Sequence, residues 1–170
     1  MRKLLVILFL GVSLVACSEN EPSSYTGNQL DFELLKSSDF EFSGNLEVKE
    51  LVSGALEFNL SLTGPKGDAG INYPAHLHFG TYDSPEAVIA AMLNPVNGAS
   101  LKSTTIVSNL SNNTVLNFES FKSFNGHIKI HLAAEGPDYK VILVSGNVGQ
   151  VASNSSNFDS SKIEICGNNF

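Results

Sequence analysis

The sequence predicts an all-β fold of about seven short strands, a β-sandwich or a barrel, that carries one short helix. Three observations predict it. Several segments alternate apolar and polar residues with a period of two, the mark of strands with one face on a core. Clusters of Ser, Asn, Gly and Pro separate these segments at spacings too short for long helices. The stretch that carries the pattern, residues 31–170, has the length of one domain with its own core.

The elements follow in chain order. In "DFEFSGNLEV" Phe40 and Phe42 alternate with acids, and Ser43-Gly44-Asn45 reads as a turn. "ALEFNLSLTG" is the clearest amphipathic strand, with Leu56, Phe58, Leu60 and Leu62 set against Glu57, Asn59, Ser61 and Thr63. "GPKGDAG", residues 64–70, is a loop, and "YPAHLHFG" is a strand after it. "SPEAVIAAMLNP", residues 84–95, departs from the pattern. Ser84 can cap a helix, Pro85 suits the first helical position, Glu86 suits the first turn and Asn94-Pro95 stops the run, so a helix is expected around residues 85–93. "STTIVSNL", "HIKIHLAAEG", "KVILVSGNVG" and "KIEIC" complete the strands, with loops at 108–114 and 152–161.

The chain opens "MRKLLVILFLGVSLVAC", two basic residues followed by an apolar run shorter than the roughly twenty residues a spanning helix needs. This is the pattern of a secretory signal. Leu14-Val15-Ala16-Cys17 resembles the lipobox of bacterial lipoproteins, which implies cleavage of residues 1–16 and acylation of Cys17, with palmitate-type chains holding the protein at the outer membrane. Residues 17–30, beginning "CSENEPSSYTGN", read from composition as an acidic tether. Cleavage would remove Arg2 and Lys3, so 10 basic residues become 8 against 17 acidic ones, a formal charge of −9. Such a chain repels phosphates, and nucleic acid is excluded as a partner. With Cys17 acylated, Cys166 is the remaining thiol, so no intrachain disulfide can form; it is either buried in the last strand or free to pair between chains, a route to homo-association.

Two of the four histidines, His76 and His78, share one face of their strand, with Leu77 and Phe79 on the other. The same parity in "HIKIHL" turns Ile128, Ile130 and Leu132 inward and His127, Lys129 and His131 outward. All four imidazoles are therefore expected on outer faces, away from the core. His76, His78 and His131 form a candidate three-nitrogen site for copper or zinc. His127 stands roughly 13 Å along the strand from His131, at about 3.3 Å per residue, too far to share its ion. Lys129 faces out between them and would oppose a cation. The sequence holds no Gly-x-Ser-x-Gly elbow, phosphate loop or His-Glu-x-x-His motif.

The span from "FEFSGNLEVKELVSGALEFNLSL" through "YPAHLHFG" to "FNGHIKIHLAAEG" resembles the CHRD (chordin-like) domain. The likeness lies in the "SGNLEV" opening, the long amphipathic strand, the histidine pair and the late Gly126-to-His131 motif. The acidic-Ile-Arg-Gly ending usual in that family is replaced by "KVILVSGNVGQ". The CHRD fold is in turn similar to the immunoglobulin-like sandwich of Cu/Zn superoxide dismutase, which implies that His76, His78 and His131 correspond to three copper ligands. The analogy stops there. Residues 79–126 contain no histidine, the mature chain has no arginine to guide superoxide, and its negative charge repels that anion. The expectation is a lipid-anchored, non-enzymatic binding module, with a copper- or zinc-binding protein as the alternative.

Overall fold

The computed structural model describes residues 24–85 and 88–164. The expected leader, Cys17 and Cys166 lie outside the described residues. Eight strands form: β1 (Tyr25–Lys36), β2 (Ser43–Leu51), β3 (Leu56–Thr63), β4 (Asn72–Phe79), β5 (Ile89–Asn97), β6 (Lys102–Val107), β7 (Asn125–His131) and β8 (Ile142–Gly149). A five-residue helix, α1 (Phe118–Lys122), is the one α-helix among the described residues. The strands close into an antiparallel barrel in the order β1-β2-β3-β6-β5-β4-β7-β8. This corrects the expected open sandwich of about seven strands. Spacing and periodicity count strands, but they do not say whether the first meets the last. Here it does, through Leu35↔Ser145 and Lys36↔Val144.

Alternation builds the wall. Along β3, Leu56, Phe58, Leu60 and Leu62 are buried while the residues between them are partly exposed. Leu46 and Val48 of β2, Leu77 of β4, and Ile128 and Ile130 of β7 join the same interior. Two connections cross the barrel ends, since β3 neighbours β6 rather than β4, and β6 leads to β7 rather than back to β5. Residues 64–71 cross the upper end and residues 108–124 the lower one, where β1 begins. In the lower crossover α1 is capped by a reciprocal box between Asn117 and Ser120. It delivers Phe121 into the barrel mouth, edge-on to Phe32 and Phe58 at centroid distances of 5.8 and 5.2 Å. At the end of β8, Gly149 has φ 76°, and a Cβ there would collide with the Phe124 carbonyl, so glycine lets the crossover lie flat on the barrel end.

Four further expectations change. The helix expected at 85–93 is absent, because the stretch from Ile89 is strand β5, paired with β4 from Asn72↔Asn97 to His78↔Ile89. Glu86 and Ala87 fall outside the described residues. Ser43-Gly44-Asn45 opens β2 instead of turning, and the bend lies at 37–42. Ser160–Lys162 is a 3-10 turn, and Ile163 and Glu164 carry no strand. β1 begins at Tyr25, inside the stretch assigned to the tether on composition.

Candidate functional site

On the outer face of β4, β7 and β8 the strand register sets His76 opposite Lys129, His78 opposite His127, Lys129 opposite Ser145 and His127 opposite Asn147. Leu77, Ile128 and Ile130 point into the barrel, so the parity that places the imidazoles on the other face holds. Their expected exposure does not. His76 is 3% exposed, and His78, His127, Lys129 and His131 are 0% exposed. The outer face is roofed by the segments 80–85, 132–141 and 150–164. Tyr139 stacks on His131 at 4.5 Å between centroids, Phe158 packs on Tyr82 at 4.7 Å, and the Lys129 ammonium donates to the Glu164 backbone carbonyl.

The roof is pinned by buried polar groups. Asn147 accepts from the Tyr82 amide at 2.8 Å through its side chain, and its own amide donates to Ser153 Oγ at 2.8 Å. His127 Nδ1 bonds the Gly80 carbonyl and His131 Nδ1 the Tyr139 carbonyl, both at 2.7 Å. A carbonyl only accepts, so each ring is protonated at Nδ1. The Nε2 of His127 is buried with no hydrogen-bond partner.

Electrostatics keep these rings neutral. Burial is the main cause that lowers His76 to a pKa of about 4, reinforced by His131 and Lys129. His127 is also lowered to about 4, chiefly by burial; its bond to Gly80 and the nearby Asp83 work the other way, while Lys129 adds to the fall. Burial lowers His131 too, against the bond to Tyr139.

The rings run in a row. His127 stacks on His78 at 4.9 Å between centroids, His78 lies edge-on to His76 at 5.8 Å, and His76 meets His131 at 5.2 Å. The three residues of the candidate copper or zinc site are thus neighbours, with His127 displaced to the far end as its spacing requires. No three His, Cys, Asp or Glu side chains among the described residues are arranged to hold a metal ion. The donor set does not fit a closed metal cage, and Lys129 places a cationic side chain on the same face.

A second feature lies one strand away. β5 and β6 are joined by one ladder pair, Asn97↔Lys102. Next to it the Asn94 side chain donates to the Thr104 carbonyl, and the Asn94 amide donates to Thr105 Oγ1. Below that point the strands splay and leave a groove of about 360 Å³ lined by residues 89–92 and 106–111, with exposed Met92 and Ile106 at its rim.

Comparison with protein-family models, curated proteins and solved structures gave no match. The site must be read from its own residues. Sequence reasoning missed Tyr82, Tyr139, Asn147 and Ser153, because nothing in the local pattern says that Tyr82, Tyr139 and Ser153 fold back over β7 and β8, or that Asn147 of β8 holds the roof to the wall.

Proposed function

We propose that this chain is a lipid-anchored protein of the bacterial cell envelope, acylated at Cys17 and held at the outer membrane, whose barrel is a non-catalytic binding module. The lipobox-like Leu14-Val15-Ala16-Cys17 supports the anchor, and the CHRD-like motifs support interaction over turnover. The observation that carries the binding role is the open β5–β6 seam. Between the Asn94 bonds to β6 and the Ser111 bonds to the Ile89 and Ala90 carbonyls, the strand edges lack ladder partners beside apolar side chains, which suits a short extended peptide that supplies backbone bonds there and places alternate side chains in the groove. Titration with a short peptide alternating valine and threonine should slow amide exchange at residues 91–93 and 105–107, and Met92→Glu should weaken the effect. Unchanged exchange at those amides would overturn the assignment of the seam.

In this reading the histidine face is a structural clasp for the roof. The second reading, a copper or zinc centre on His76, His78 and His131, is favoured by one observation. The Nδ1 of His131 is held by a backbone carbonyl, the arrangement that leaves Nε2 as the basic nitrogen in metal-ligating histidines. Elemental analysis of protein purified without a histidine tag separates the two readings. The clasp predicts substoichiometric metal that His78→Ala does not alter; stoichiometric metal lost in that variant would establish the centre.

A further inference from the structure

Exposed apolar side chains are unevenly distributed over the barrel. Tyr25, Val52, Val88, Val115 and Val151 all lie at or beside the lower end, whereas Phe40 and Ile71 are at the upper end and Met92 and Ile106 belong to the β5–β6 groove. The five come from different parts of the chain: the start of β1, the β2–β3 turn, the entry to β5, the lower crossover and the segment after β8. Single exposed apolar residues are ordinary, but five gathered around one end from five segments form an apolar rim. The described chain also begins at this end, where the Val52 amide donates to the Ser24 carbonyl at 3.0 Å. Roughly seven residues separate Ser24 from Cys17, and an extended chain of that length spans at most about 25 Å.

We propose that the lower end of the barrel rests on the bilayer, with Val52, Val115 and their neighbours in the headgroup region and the opposite end directed away from the membrane. The inference rests on the acylation of Cys17, which supplies the tether, and adds an orientation that the anchor alone does not fix. The charges near this end are mixed, with Glu50, Glu57 and Glu119 beside Lys49 and Lys122, so contact comes from apolar insertion and requires no anionic lipid. The chain contains no tryptophan, so an introduced one is a sole reporter.

The test uses the acylated protein in phosphatidylcholine vesicles, with Val52→Trp, Val115→Trp and Phe40→Trp made separately and brominated lipid as quencher. Val52→Trp and Val115→Trp should shift their emission to the blue and lose intensity, while Phe40→Trp should do neither. Vesicle flotation without selective quenching would overturn the orientation and leave the anchor standing. Failure to float, with mass spectrometry showing an unmodified Cys17, would remove the anchor and the orientation together. Blue shifts that depend on protein concentration without lipid would assign the rim to a second copy of the chain and overturn the membrane contact.

Discussion

Phe121→Ala is expected to remove about 3–5 kcal/mol of stability, most of what holds a small domain folded. Phe121 is fully buried and fills the lower mouth of the barrel, where it meets Phe32 and Phe58 edge-on and stacks on Phe124 at 5.9 Å. Those rings belong to β1, β3 and the crossover, so one side chain joins three elements. Its loss leaves a void bounded by rigid strands that cannot close in. Urea denaturation measures the effect, and Phe40→Ala, at a site 45% exposed, serves as the comparison with a change within about 0.5 kcal/mol. Equal losses in the two variants would show that the crossover does not seal the barrel.

Acid is expected to weaken the barrel through its buried imidazoles. His76 and His127 have an ordinary pKa of 6.5 when unfolded and about 4 in the barrel. Above pH 6.5 both are neutral in either state and cost nothing. As pH falls from 6.5 toward 4 the unfolded chain takes up protons that the folded chain refuses, so stability drops; below 4 both states are protonated and the loss levels off. A tenfold change in proton affinity is worth about 1.4 kcal/mol, which makes the full loss about 3 kcal/mol for each ring. His131, lowered in the same direction, adds to it. Urea midpoints at about pH 7.5 and about pH 5 should differ clearly, and identical midpoints would mean that the roof admits water to these rings.

Pleat parity was legible because it is local. Alternation in "AHLHFG" and "HIKIHL" sorts Leu77, Ile128 and Ile130 from the imidazoles whatever the rest of the chain does. Burial of the imidazole face was not legible, because Tyr139 and Phe158 reach it from segments with no pattern of their own, and Glu164 from a stretch whose alternation predicted a strand. The helix expected around 85–93 failed for the opposite reason. Ser84, Pro85 and Asn94-Pro95 are sound local signals, but β4 offers Ile89–Asn97 a row of backbone partners. The register shift between Tyr73 and Ala75 then absorbs Pro95 without loss of the ladder. Strand count was nearly right, and closure was beyond reach because it depends on the pairing of Leu35 and Lys36 with residues at the far end of the chain.

That pairing also governs when folding can finish. Leu35 meets Ser145 across roughly 110 residues of intervening chain, and contacts of such separation make assembly slow. Close approach there further depends on Gly146, where a Cβ would sit 2.5 Å from the Glu33 carbonyl. A polypeptide emerging from the ribosome therefore stays incomplete until its eighth strand arrives. On the proposed export, that delay would keep it threadable through a translocon for longer than a bundle of local contacts would.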